Sequence, residues 1–217
     1  MTSFTLPSPD LKMKQAMSER PSESVRLDRF YGGAVCQLVD GVFSDTHPSP
    51  KALLPGSFRP LHDGHRQLAH TAARRLGCEV HFELSFTNVD KPDLTEDELT
   101  RRLGQFVGLA PVWVTRAAAF EKKADLFPGA VFVLGHDTAL RLIDPKYYGG
   151  ETARDAALRK LLDRGCRVLV GGRMDEAGMF RVWDDLRPTF RDLFETIPEA
   201  DFRADISSTE LRKTGGG

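Results

Sequence analysis

The sequence predicts a doubly wound, Rossmann-like α/β fold with a parallel sheet and a short N-terminal β-hairpin extension. Three observations carry this. Short apolar runs alternate with amphipathic stretches from Lys51 onward, glycines stand where helices must end, and an Asp-Gly pair divides two apolar runs just upstream. Strands alternating with helices imply parallel strands whose two faces are both covered.

Strands are expected at Ala52–Leu54, Glu79–Phe86, Val112–Thr115, Ala130–Leu134 and Arg167–Val170. Helices are expected at His65–Leu76, Thr95–Val107, Thr138–Ile143 and Thr152–Arg164. In the first of these, Leu68, Ala69, Ala72, Ala73 and Leu76 recur at helical spacing. Gly77 and Gly165 follow helical patterns where a C-cap needs a left-handed residue. Upstream, Asp40-Gly41 between Ala34–Val39 and Val42–Ser44 predicts a hairpin closed by a type I′ turn, and Pro48 and Pro50 form a stiff linker. Residues 1–30 are polar and contain Pro7, Pro9 and Pro21, which predicts a frayed arm with room for a short helix near Leu11–Ser18. The expected organisation is a disordered arm, hairpin and linker over residues 1–50, then one α/β domain over 51–217.

Composition narrows the function. Thirty Lys and Arg against 31 Asp and Glu, for a net charge of −1, argue against a dedicated binder of nucleic acid or of an anionic membrane. No apolar stretch approaches the roughly 18–20 residues of a membrane span. Cys36, Cys78 and Cys166 are an odd number, widely separated, in apolar surroundings; they read as reduced, buried thiols and point to the cytoplasm. The first thirty residues show neither a secretory signal pattern nor the acid-poor character of a transit peptide.

Ligands of doubly wound sheets bind beyond the carboxyl ends of the strands, so chemistry is sought at strand-to-helix junctions. The first junction reads Pro55-Gly56-Ser57-Phe58-Arg59-Pro60-Leu61-His62-Asp63-Gly64-His65. Gly56 permits close approach of the backbone to a ligand, Pro60 stiffens the loop, and Gly64 brings two imidazoles to the start of a helix. A helix start offers unpaired N–H groups and a positive dipole end. With Arg59 nearby, these groups describe a phosphate site. Zinc ligation by the two histidines is an alternative, but a third ligand is needed and no Cys or carboxylate cluster at metal spacing accompanies them. The loop lacks the Gly-Lys-Ser/Thr ending of a P-loop, and Ser57 lacks the flanking glycines of a nucleophile elbow. From Lys51 to Arg75 five Lys and Arg stand against one acid, a local charge of +4. Arg59 and Arg66 are the ones close to the loop, whereas Arg74 and Arg75 suit the far end of the helix.

Two further segments offer anion or nucleotide contacts. Near the C-terminus, Ser207, Ser208 or Thr209 can cap a helix with Arg212 close to its first turn, which makes a second anion site or a plain helix cap with a surface arginine. After the strand Ala130–Leu134, the sequence Gly135-His136-Asp137 begins a helix that Asp137 can cap.

Gly56-Ser57-Phe58-x-Pro60-x-His62-x-Gly64-His65 resembles one signature of the nucleotidylyltransferase superfamily, and Ile206-Ser207-Ser208-Thr209-Glu210-Leu211-Arg212 resembles its second. That superfamily includes the nicotinamide and nicotinate mononucleotide adenylyltransferases, phosphopantetheine adenylyltransferase and the cytidylyltransferases. Three phrases, Leu53–Phe58, Asn88–Pro92 and Asp144–Gly150, resemble a branch described as nicotinamide-nucleotide adenylyltransferase-like or cytidylyltransferase-related. The resemblance implies transfer of AMP from ATP to a phosphate acceptor such as nicotinamide or nicotinate mononucleotide, with release of pyrophosphate. It implies His62, His65 and Arg212 as catalytic residues. Gly56, Ser57, Phe58, Gly64, Gly135, Asp137, Ser207, Ser208 and Thr209 become nucleotide contacts, and Asn88 and Lys91 acceptor contacts. Mg²⁺ is expected on the nucleotide phosphates, with no dedicated protein metal site. Alternatives are a cytidylyltransferase using CTP and a phospho-alcohol, and a nucleotide-binding protein or weak ATPase that does not transfer. Neither nucleic acid nor membrane is an expected partner. Trp113, Phe120 and Phe127 read as core in preference to a base pocket.

Overall fold

A computed structural model describes residues 33–87, 93–174, 179–181 and 188–203. The strands are β1 (Ala34–Gln37), β2 (Phe43–Ser44), β3 (Ala52–Pro55), β4 (Val80–Ser85), β5 (Val112–Thr115), β6 (Val131–Gly135), β7 (Arg167–Gly171), β8 (Arg173–Met174), β9 (Phe180–Arg181) and β10 (Phe194–Ile197). The helices are α1 (Asp63–Leu76), α2 (Glu96–Leu103), α3 (Phe120–Leu126), α4 (His136–Ile143) and α5 (Glu151–Asp163).

Eight strands form one sheet in the order β10-β7-β6-β3-β4-β5-β1-β2, and β8 pairs with β9 in a separate ribbon. The six strands from β10 to β5 are parallel. The chain starts in the middle at β3, runs outward through β4 and β5, then returns to the other side of β3 and runs outward through β6, β7 and β10. That is the doubly wound order, and its switch point lies between β3 and β6. At that point the connections leaving the two strands part to opposite faces of the sheet, α1 to one and α4 to the other.

Strand alternation divides the core into two layers. Ala52, Leu54, Val112, Val114, Val133 and Leu169 pack with Leu68, Ala72, Leu99 and Leu103 of α1 and α2. The intervening Leu53, Trp113, Phe132, Leu134, Val168 and Val170 pack with Ala124, Ala139, Leu142, Leu158 and Leu161 of α3, α4 and α5. Gly77 ends α1 in the left-handed conformation at φ 65°, with its N–H donating to Ala73 O, as its sequence position predicts. Trp113 and Phe127 are core residues, their rings edge-to-face at 5.3 Å.

The hairpin extends the sheet itself. β1 lies antiparallel on β5, pairing Ala34 with Thr115 and Gln37 with Val112, and β2 completes the edge. Val35 and Cys36 are buried in the core. The expected type I′ turn is replaced by a three-residue loop. Leu38 N–H donates to Val42 O, Gly41 N–H to Leu38 O, and Gly41 alone of the loop residues takes positive φ, at 87°. Asp40 stays at negative φ because its carboxylate accepts from Val42 N–H at 3.0 Å, so glycine supplies the only left-handed residue.

α3, β8, β9 and β10 are absent from the expected elements. α3 is only seven residues long and carries charges at Glu121, Lys122, Lys123 and Asp125. One of those charges is buried. Lys123, 4% exposed, donates to both oxygens of Glu83, 1% exposed, at 2.7 and 2.8 Å and to Ala117 O at 2.6 Å, while Thr115 Oγ1 donates to Glu83 at 2.6 Å. The pair fastens α3 and the loop before it to the centre of β4. Replacing Lys123 by Met leaves Glu83 buried without its countercharge, and is expected to cost about 3–5 kcal/mol in urea unfolding.

Candidate functional site

The loop between β3 and α1 leaves the sheet at the switch point. Its conformation is set by one aromatic ring. Phe58 is 1% exposed and takes φ 44°, the only positive value among the described non-glycine residues. The ring meets Phe82 at 5.4 Å, Phe106 at 5.1 Å and the His65 imidazole at 5.1 Å, all edge-to-face. A left-handed phenylalanine costs about 1–2 kcal/mol. Burying the ring returns about 1.5–3 kcal/mol, before the edge-to-face contacts are added. The resemblance implies Phe58 as a nucleotide contact, but its side chain is committed to the core.

Gly56 has a structural reason that its sequence position does not show. A Cβ there would lie 2.7 Å from Phe58 Cε1 and Cζ, so the glycine makes room for the Phe58 ring. Gly56 N–H donates to Glu83 O at 2.9 Å and ties the loop to β4. Two residues that sequence reasoning did not single out complete the clamp. Arg102 donates to Ser57 O at 2.9 Å, and Gln105 donates to Phe58 O at 3.0 Å while its amide oxygen accepts from Leu61 N–H at 2.8 Å. Glu98 accepts from Arg101 and Arg102, which hold its carboxyl below the usual range. Arg102 stands in a helix as an ordinary charge in sequence; only the packing of α2 against the loop shows what it holds. Ser57 itself is exposed.

The loop delivers two imidazoles to the start of α1. His62 is the N-cap residue, with φ −133° and ψ 170°, and its O accepts from His65 N–H and Arg66 N–H. The His62 and His65 rings stack at 3.8 Å with 29° between their planes. Burial pushes the His62 pKa down and takes that of His65 to about 3, with the neighbouring His62 adding to the effect. Both rings are therefore neutral at neutral pH. His65 Nδ1 accepts from His62 N–H at 3.3 Å, so the His65 proton sits on Nε2 and that nitrogen is the donor. Gly64 occupies the second helical position, where backbone N–H groups have no intrahelical acceptor. Asp63 pairs with Arg66 at 3.3 Å, and Arg59 lies 4.0 Å from Glu98. Arg74 and Arg75 sit in the last turn of α1, with Arg75 paired to Glu195 at 2.7 Å.

Across the switch point, β6 ends at Gly135, the N-cap of α4. Asp137 does not cap that helix. Its carboxylate accepts from Arg173 of β8 at 2.6 Å and is exposed. Gly135 and Asp137 thus stand on the β6 side of the switch point and Gly56, His62, Gly64 and His65 on the β3 side. Asn88 and Lys91 lie outside the described residues, as do Ser207, Ser208, Thr209 and Arg212.

Gly56→Ala forces a Cβ into the Phe58 ring and is expected to destabilise the fold by about 1–3 kcal/mol, read from urea unfolding. Folded His65 titrates near 3 and a free histidine near 6.5. Between these values the unfolded chain binds the extra proton, so stability falls as pH is lowered through 6.5. His65→Asn, whose amide oxygen can accept from His62 N–H, is expected to lose less stability than the parent over that interval in urea titrations.

No protein-family model matches this chain, and no curated protein matches its sequence. What bears on its chemistry is the geometry of the two loops and the residues they carry.

Proposed function

We propose that this protein is a nucleotidyltransferase that transfers AMP from ATP to a phosphate acceptor such as nicotinamide or nicotinate mononucleotide. The observation that carries the reading is the stacked, neutral pair His62 and His65 at the start of α1, on one side of the switch point of a doubly wound sheet. An oxygen of the acceptor phosphate attacks the α-phosphorus, the bond from that phosphorus to the bridging oxygen breaks, and pyrophosphate leaves. The acceptor is already ionised, so no proton moves and no general base is required. Catalysis is then positioning and stabilisation of charge on phosphate oxygens.

Neutral imidazoles suit that task. The His65 Nε2–H is a fixed donor, oriented by the bond to its Nδ1 and by the Phe58 ring. The helix start adds backbone N–H groups and the positive dipole end. By resemblance, Ser207, Ser208, Thr209 and Arg212 hold the departing phosphates, and Asn88 and Lys91 border the acceptor. The donor set at this loop suits an anion, because Asp63 and Asp137 are engaged by Arg66 and Arg173. Mg²⁺ held by the triphosphate fits these residues and supplies neutralisation of the phosphate charge.

Pyrophosphate release by purified protein with Mg²⁺, ATP or CTP, and a panel of phosphorylated acceptors tests the proposal. Release with ATP and a mononucleotide acceptor is expected, and His65→Ala should lower its rate about 10²–10³-fold. Release only with CTP and a phospho-alcohol would make it a cytidylyltransferase. Tight ATP binding without release with any acceptor would overturn transfer.

A further inference from the structure

At the opposite end of β4 from the Ser85 end, the structure collects Cys36, His47 and His81, with one ligand atom from each lying within 4.8 Å of the others. Cys36 is on β1, His47 follows β2, and His81 is on β4, so three segments separated in sequence converge across β5. His81 pairs in register with Leu53, whereas the phosphate-type loop begins beyond Pro55. The cluster faces the α3–α5 layer through Cys36 and Trp113. It is separate from the site at the switch point, and nothing in the proposed transfer uses it.

We propose that Cys36, His47 and His81 form a binding site for a borderline-soft divalent cation, Zn²⁺ being the best match, which clasps the N-terminal hairpin to the sheet. One thiolate and two imidazoles are a donor set for zinc and not for Mg²⁺ or Ca²⁺. The tautomers follow from the hydrogen bonds. His47 Nδ1 lies 3.0 Å from Pro48 O, a group that only accepts, so Nδ1 carries the proton and Nε2 is left with its lone pair. A ligand histidine commonly shows this arrangement, its other nitrogen donating to a backbone carbonyl. Trp113 Nε1–H, which only donates, points at His81 Nδ1 at 3.1 Å. The proton of neutral His81 is therefore on Nε2, 3.4 Å from a Glu79 carboxylate oxygen. A metal on Nδ1 takes the place of the indole N–H and keeps the carboxylate–histidine contact behind the ring. Ligand atoms of a tetrahedral zinc stand roughly 3.3–3.7 Å apart, as Zn–N and Zn–S bond lengths require. Closing from the present spacing falls to His47, which lies in the irregular stretch between β2 and β3. The cation replaces the Cys36 thiol proton, which passes to solvent, and Glu79 at the rim offsets part of its charge.

Cobalt(II) is the probe, because thiolate coordination gives it a near-ultraviolet charge-transfer absorption. The full chain is expected to take up one Co²⁺ with that absorption, and Zn²⁺ should displace it. Cys36→Ser should abolish the band, and His47→Ala, at a partly exposed loop position, should weaken uptake at least about tenfold. Cys78→Ser, whose side chain packs in the opposite layer of the core from Cys36, should leave it unchanged. Zn²⁺ should also raise the thermal midpoint of the parent and not that of His47→Ala. No charge-transfer band in the parent, or a band that persists at full strength in either Cys36→Ser or His47→Ala, would overturn the site. Should Cys36→Ser fail to fold, the His47→Ala titration decides.

Discussion

The left-handed Phe58 ring holds the candidate site to the core. The ring occupies the space above Gly56 and meets Phe82, Phe106 and His65 edge-on. One side chain therefore sets both the path of the loop and the pose of an imidazole. The backbone strain at φ 44° is tolerated because aromatic burial exceeds it. Arg102 and Gln105 then engage the loop carbonyls that the turn leaves without strand partners. A loop held on this many sides needs little reordering when a ligand arrives, which is the condition for positioning to contribute to rate.

The electrostatics of the site follow from burial as much as from charge. Two stacked imidazoles out of full contact with water cannot both be cations, and desolvation drives each toward its neutral form. They offer directed N–H groups, and the positive potential comes from the helix start. The arginines near the loop are mostly engaged: Arg66 with Asp63, Arg102 with Glu98, and Arg173 with Asp137. Of the cations behind the formal +4 from Lys51 to Arg75, Arg66 pairs with Asp63, Arg59 approaches Glu98, and Arg74 and Arg75 sit at the distant end of α1.

Directly beside the start of the β3–α1 loop, polar groups are placed inside an otherwise apolar layer: Glu83 lies in register with Pro55 and is bonded to Lys123. Glu83 and Lys123 form a buried ion pair at a position that two apolar residues could fill. Their geometry fixes α3 and the loop before it with a direction that apolar contacts do not supply. Beside them on β4, His81 faces Trp113 and the Cys36 strand, so the same strand serves the β3–α1 loop through Glu83 O and the hairpin through His81. β4 thereby links the edge of the sheet to its switch point.

By itself the sequence determined the class of the fold, the hairpin, five of the six parallel strands and the residues that gather at the first junction. These depend on short-range patterns: alternation, helical spacing, terminal glycines and the Gly-Ser-Phe-x-Pro-x-His-x-Gly-His string. It left α3 and β10 unread because their sequences, Phe120–Leu126 and Phe194–Ile197, are short and interrupted by charge. Only the tertiary structure decided that Gly56 serves a phenylalanine ring, that Asp137 pairs with Arg173 instead of capping α4, and that Cys36, His47 and His81 meet. Each of these depends on residues brought together from distant parts of the chain or on a ring folded back over its own loop. No local pattern encodes where a side chain will point once the sheet has closed.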